Sequence, residues 1–189
     1  MPSEQSENTV LGVVLAGGLS SRMGRDKAML DHHGRPLLRR QVDVMAALCG
    51  QVVVSGDYAG FDCVPDEGGR CGPLGGIFSV SARFPGMAML VVPVDMPQVT
   101  PMDLAKLLEQ HGPCHFDGQP LPAFFPDGGL LTRALHGLFD QPGAGLSIRR
   151  LHAALTSQTL DAIGFDALNV NTPAQWAAFV RNSNDKQCL

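Results

Sequence analysis

Between Leu15 and Lys27 the chain reads Leu-Ala-Gly-Gly-Leu-Ser-Ser-Arg-Met-Gly-Arg-Asp-Lys, a run of residue types suited to holding phosphate. Gly17 and Gly18 allow the backbone to approach a ligand closely and to turn with positive φ, so that amides face phosphate oxygens. Arg22 and Lys27 place two mobile positive charges beside those amides. Phosphoryl chemistry needs both, because the charge of a triphosphate has to be neutralised while it is positioned. Two familiar phosphate loops are excluded by spacing: a Walker A loop requires Lys directly after its last Gly, but Gly24 is followed by Arg25-Asp26, and Gly17-Gly18 with Gly24 does not supply GxGxxG. The alternative for a bare Gly-Gly pair is an ordinary strand–helix turn carrying surface cations.

A carboxylate is the second requirement, and Asp95 is well placed to meet it. It closes the apolar stretch Met87–Val94 and is flanked by Pro93 and Pro97, so a strand end would hold it rigidly. Mg²⁺ takes one or two carboxylates, several waters and the substrate phosphates, and a single aspartate suffices if a triphosphate brings the remaining oxygens. A helix-capping role suits Thr100 better, since Pro101 follows it and Asp95 lies too far upstream.

These groups need elements to position them. Val10–Leu15 reads as a buried strand, Pro36–Leu48 as a helix with Gly50 beyond its end, Gln51–Ser55 as a second strand, and Leu74–Arg83 as a helix after the glycine-rich loop Asp66–Pro73. Met87–Val94 is the strongest strand, a helix spans about Pro101 to Gln110, and a last helix starts at Pro173 and gives way to a polar tail after Arg181. Strands alternating with helices predict an α/β, Rossmann-like three-layer fold, its mainly parallel sheet covered on both faces. In such sheets ligands bind beyond the carboxyl ends of the strands. Residues 10–182 are expected to form one domain, with flexible segments at 1–9 and 183–189.

Composition narrows the function classes. The 189 residues are 44% hydrophobic and 17% charged, with a formal charge of −4, which describes a globular chain without general attraction for nucleic acid or anionic membrane. Five scattered cysteines without a CxxC pair suit a reducing cytosol rather than a disulfide framework or a zinc site. Met1–Thr9 does not read as a signal peptide, and no apolar run approaches the ~20 residues of a membrane span. A cytoplasmic location is expected.

The string LAGGLSSRMGRDKAML resembles the LxGGxSxRMGxDKxxL signature of the MobA-type nucleotidyltransferases. The likeness continues in Gly72-Pro-Leu-Gly-Gly76, Pro93-Val-Asp95-Met-Pro97 and Asn169-Val-Asn171-Thr-Pro173, in the family's order and over nearly the whole chain. The resemblance implies transfer of GMP from GTP to the phosphate of molybdopterin, with release of pyrophosphate. It implies Mg²⁺ on Asp95, catalytic roles for Arg22 and Lys27, and nucleotide contacts from Leu15, Ala16, Gly17, Gly18, Lys27, Ser55, Asp66, Gly72, Gly76 and Asp95. Asn169 and Asn171, alternating in an extended segment, fall to the acceptor, while Thr172 caps the final helix. GTP and the molybdenum cofactor are the implied small-molecule partners, and cofactor-receiving enzymes or their chaperones the implied protein partners.

Two departures stand out. Ser55 occupies a place where the family has Asn. Leu146 occupies one where it has Arg, with Arg149 and Arg150 a turn later. The base is favoured as guanine only by LAGG and GPLGG, since cytidylyltransferase relatives more often carry LAAG. A CTP-using molybdopterin or sugar-phosphate transferase is therefore the nearest alternative, and a non-catalytic GTP-binding cofactor chaperone the more distant one. The pair His111 and His115 imitates a metal motif, but Gly112 and Pro113 break the helix that would align the rings. His32-His33 reads as a polar turn before Gly34.

Overall fold

The computed structural model describes residues 10–17, 26–66, 72–141 and 145–187. Strand β1 (Leu11–Leu15) is buried at every position. It pairs in parallel with β4 (Gln51–Ser55) on one side and with β6 (Met89–Pro93) on the other. The register sets Leu15 abreast of both Ser55 and Pro93. The three strands end level, so the segments that follow them emerge along one edge of the sheet.

Beyond β4 lies β5 (Cys63–Val64), also parallel. On the far side of β6 the order is β8 (Ala123–Phe125), β7 (Cys114–Phe116) and β9 (Gln158–Leu160), completing a seven-stranded sheet β5-β4-β1-β6-β8-β7-β9. The sheet is mainly parallel, as expected, with one reversal. β8 runs antiparallel to both β6 and β7, while β7 and β9 are parallel. Simple alternation predicts no such reversal, and a three-residue apolar strand carries no mark of its direction. The reversal matters for the site. Because β7 runs in the same sense as β6, its connection to β8, residues 117–122, lies at the same carboxyl edge as Asp95.

Helices cover both faces. Val14, Leu90 and Val92 pack beneath α1 (Leu37–Ala46) and α3 (Pro101–Leu108). Leu11, Val13, Met89 and Val91 pack beneath α2 (Gly72–Arg83), α4 (Gly128–Phe139) and α5 (Ile148–Leu155). Alternate side chains thus enter opposite cores, which is why the strands read as unbroken apolar runs. Burial pushes the thiols of Cys49 and Cys114 up to about 11, so both stay protonated and inert. Among the described residues no helix is long and apolar enough to cross a membrane.

Helix ends follow local chemistry. Thr100 and Asp103 form a reciprocal capping box at the start of α3, so the cap falls on Thr100 and not on Asp95. Helix α6 (Pro173–Gln187) opens where Thr172 Oγ1 accepts the Gln175 N–H at 3.2 Å and Gln175 Oε1 accepts the Asn171 N–H at 2.8 Å. It continues six residues past Arg181, beyond the point at which polar composition predicts an end.

The two-histidine turn also departs from expectation. His33 and Gly34 both have positive φ and turn the hairpin of β2 (Asp31–His32) and β3 (Arg35–Pro36). His32, however, is buried. Its ring lies 4.6 Å from Phe179 and 6.0 Å from Trp176 of α6, and Arg40 donates to its Nδ1 at 2.7 Å. Burial and the Arg40 charge lower its pKa from the ordinary value. It is a neutral packing residue joining the hairpin to the last helix.

Candidate functional site

The site is built where β1, β4 and β6 end. Two consecutive amides, Ala16 N–H and Gly17 N–H, donate to Ser55 O at 3.1 and 2.8 Å. Val94 N–H donates to Leu15 O at 3.0 Å. The start of the glycine loop is therefore tied to its neighbouring strands. The Gly17 amide, expected to face phosphate, donates to Ser55 O here, while Gly17 itself lines the adjoining cleft. Gly18 and Arg22, expected to contribute amide and charge, lie outside the described residues.

Lys27 opens a 3₁₀ turn, Lys27–Met29, that is capped by Asp26, whose Oδ1 accepts the Ala28 N–H at 3.0 Å. From there its ammonium meets Asp95 Oδ2 at 3.3 Å and donates to Asn171 Oδ1. Both charged side chains are only about a fifth exposed (18% and 20%). The Asp95 backbone carbonyl in turn accepts the Val170 N–H at 2.8 Å, which fixes the Asn169–Asn171 segment beside it. Three residues separated by 68 and 144 positions thus meet at one point.

Lys27 and Asp95 border a cleft of about 350 Å³ whose lining also includes Leu15, Ala16, Gly17 and Asn169. Asn169 and Asn171 do not act alike: Asn169 faces the cleft, while Asn171 holds Lys27. Four other residues expected at the nucleotide stand back from the lining. Ser55 is 2% exposed. Gly76 packs directly behind it, such that a Cβ built there runs into Ser55 Oγ and comes within 3.2 Å of Leu15 Cδ2. That pair lets α2 lie close under the ends of β1 and β4. Gly72 starts α2 with φ +61, and Asp66 is half-buried just past β5.

Tyr58 escaped notice in the sequence because a lone aromatic in a loop belongs to no motif. Its hydroxyl lies 3.1 Å from Ala16 O and 3.2 Å from Asp26 Oδ1. It bridges the two ends of the glycine loop. Burial, and then the Asp26 charge and hydrogen bond, push its pKa well up, so the phenol keeps its proton and donates.

His115 and His152 are likewise structural in a way the spacing does not reveal. Their rings are 4.1 Å apart. His115 Nδ1 sits 2.8 Å from Phe116 O and 3.0 Å from Gln119 O, and His152 Nε2 sits 2.8 Å from Pro120 O. Together they grip the 117–122 connection. Among the described residues no group of three or more His, Cys, Asp or Glu could form a metal cage.

Burial lowers the His152 pKa from 6.5 to about 4, with the neighbouring His115 adding to it. The unfolded chain therefore takes up this proton before the folded one. The stability contributed by the neutral ring is complete above pH 6.5 and is lost as pH falls towards about 4. Replacing His152 by Gln keeps a donor for Pro120 O without a titrating ring. Urea denaturation of wild type and H152Q across this window should show a smaller loss of stability in the variant; parallel curves would assign the acid lability elsewhere.

The donor set fits a hard divalent ion in one specific manner. One carboxylate, held at a strand end beside an open cleft, leaves most coordination positions to water and phosphate oxygens. Mg²⁺ favours this arrangement over an all-protein site.

Comparison with known proteins agrees with this geometry. Residues 12–159 match the family model described as MobA-like NTP transferase domain. A molybdenum cofactor guanylyltransferase of Xanthomonas euvesicatoria is 38% identical over 181 residues, covering 92% of this chain and 96% of the relative. Among solved structures, molybdopterin-guanine dinucleotide biosynthesis protein A from Archaeoglobus fulgidus superposes with a TM-score of 0.74 at 21% identity, over 93% of this chain and all of the other. A Mycobacterium tuberculosis protein crystallised as a manganese complex superposes with a TM-score of 0.58 at 20% identity, over 92% and 98% of the two chains. At these identities the structural likenesses speak for the fold.

Proposed function

We propose, because the chain belongs to the MobA-like NTP transferase family, that it transfers GMP from GTP to the phosphate of molybdopterin, forming molybdopterin guanine dinucleotide and pyrophosphate. The observation that carries this reading is the meeting of Lys27, Asp95 and Asn171 beside one open cleft. Each comes from a different motif of the family signature. The 38% identity to a named guanylyltransferase over nearly the full length of both chains supports the acceptor and the base.

In this reading Asp95 would hold Mg²⁺, which would supply charge neutralisation at the reacting phosphorus. Lys27 offsets further negative charge on the phosphates. Asn171 keeps the ammonium from collapsing wholly onto Asp95, and Tyr58 keeps the loop ends together. An acceptor phosphate oxygen attacks the α-phosphorus in line, the bond to the β-phosphate oxygen breaks, and pyrophosphate leaves with the electron pair. Positioning supplies much of the rate in such a transfer. The described site offers no nucleophile–base pair for a covalent enzyme intermediate, and the scheme requires none.

Pyrophosphate release from each of the four common NTPs, with purified molybdopterin and Mg²⁺, tests the proposal. GTP alone should support turnover, and chelation of the metal should stop it. Turnover with CTP in place of GTP would move the chain to the cytidylyltransferases. Tight GTP binding without release of pyrophosphate would make it a carrier.

A further inference from the structure

The buried face of α1 carries Leu37, Gln41 and Met45, one side chain per helical turn. The outer two are apolar and fully buried, and the middle one is an amide only 2% exposed. Its Nε2 donates to Met96 O, 55 positions along the chain. Its Oε1, among the described residues, has no hydrogen-bond partner. A buried acceptor left unmatched costs more than a neutral hydrogen bond commonly returns. Methionine or leucine would fill the same space without that penalty. The helix therefore keeps a polar group where packing alone favours an apolar one, and the carbonyl that it holds shows what the group can do.

Met96 follows Asp95 directly, just past the end of β6. Hydrogen bonds from different elements fix this segment in succession. Val94 N–H donates to Leu15 O of β1 at 3.0 Å, and Asp95 O accepts the Val170 N–H at 2.8 Å. Met96 O accepts from Gln41 Nε2 and, at the longer distance of 3.3 Å, from Val99 N–H. The bonds to Asp95 O and Met96 O set the two peptide planes that follow the Asp95 Cα, and the Val94 bond sets the plane before Val94. The backbone that carries the carboxylate is thus held from both directions, and Gln41 is the side chain that ties it to the helix layer. A metal-binding carboxylate depends on such supports, since its direction decides whether ion and phosphate can reach it together. Resting on the functional reading above, we propose that Gln41 is a positioning residue for Asp95: it touches neither nucleotide nor metal, and it holds the carboxylate in the direction in which Mg²⁺ and a triphosphate would share it.

The test uses the full chain and the variant Q41M, which keeps the volume of the side chain and removes its donor. M45V, one turn further along the same buried face, is the control: it thins the packing of α1 without touching Met96 O. In the chain without nucleotide or metal, exchange of the Val170 amide, measured relative to the amides of β1, should quicken about tenfold in Q41M and hold in M45V. The Mg²⁺ concentration that gives half-maximal pyrophosphate release should rise about tenfold in Q41M, the usual scale for loss of a group that orients a metal ligand. The gain in GTP affinity on adding Mg²⁺, read by calorimetry, should shrink with it, while metal-free GTP affinity and the KM for molybdopterin stay within about twofold of wild type. Q41M should melt no lower than wild type, because the unmatched Oε1 is gone. An unchanged Mg²⁺ requirement in Q41M, with an active wild type, overturns the positioning role and leaves the function standing. A requirement shifted equally in M45V traces the effect to helix packing and also overturns it. A wild type that neither gains GTP affinity with Mg²⁺ nor releases pyrophosphate overturns the functional reading, and this role with it.

Discussion

D95N should lower turnover by on the order of 10³-fold while keeping the fold, because it removes the one carboxylate that, among the described residues, lines the cleft and is placed to share a metal with a triphosphate. Asn preserves the shape of the side chain, and the Val170 N–H bond uses the Asp95 backbone carbonyl, so the Asn169–Asn171 segment keeps its seat. Binding experiments separate the metal role from a simple partnership with Lys27. Without divalent metal, D95N should bind GTP at least as tightly as wild type, since a negative charge near the phosphates is gone. With metal present, wild type should gain affinity and the variant should not. If D95N turns over normally with Mg²⁺ as the sole divalent ion, Asp95 is only the counter-ion of Lys27.

The sequence was most legible where physics imposes a pattern. Strands buried on both faces must be apolar throughout, so β1 and β6 stand out, and the point at which β6 gives way to Val-Asp locates the carboxylate. Thr100 and Thr172 announce their helices because an N-cap has few chemical solutions. Motif order then implied that Lys27, Asp95 and Asn171 belong to one region. Only three dimensions show that Asn171 grips the lysine while Asn169 alone lines the cleft, a division that two alternating asparagines in an extended segment do not disclose.

What stayed illegible depended on contacts that leave no periodic trace. Strand direction is one: Ala123–Phe125 would read the same either way, yet its reversal brings residues 117–122 to the edge that carries Asp95. Tyr58, His115 and His152 act by holding backbone carbonyls, and a single side chain that holds a carbonyl makes no motif. Ser55 and Gly76 show the converse. Both sit in positions that the signature ties to the nucleotide, but their immediate work is to bring α2 against the strand ends, with Ser55 O tethering Ala16 and Gly17. A signature residue can serve a ligand through the backbone it fixes.

K27A should lower kcat/KM by on the order of 10²–10³-fold, with affinity for GTP and the rate of transfer falling together, because an ammonium on the phosphates acts in the ground state and the transition state alike. Lys27 is also half of a largely buried ion pair with Asp95, so loss of activity by itself does not separate catalysis from structure. Breaking such a pair from one side leaves an uncompensated charge, and K27A should therefore also lose stability. The double variant K27M/D95N removes both charges and should recover that stability. If Lys27 served only to neutralise Asp95, K27R would restore function by restoring the charge. A guanidinium is a broad planar fork rather than a compact point charge, and it should not reproduce a contact that reaches Asp95, Asn171 and a phosphate from one nitrogen. The expected outcome is a double variant that melts like wild type and remains inactive, beside a K27R that stays at least tenfold impaired. Near-normal turnover in K27R, or recovery of turnover along with stability in the double variant, would reduce Lys27 to a structural counter-ion.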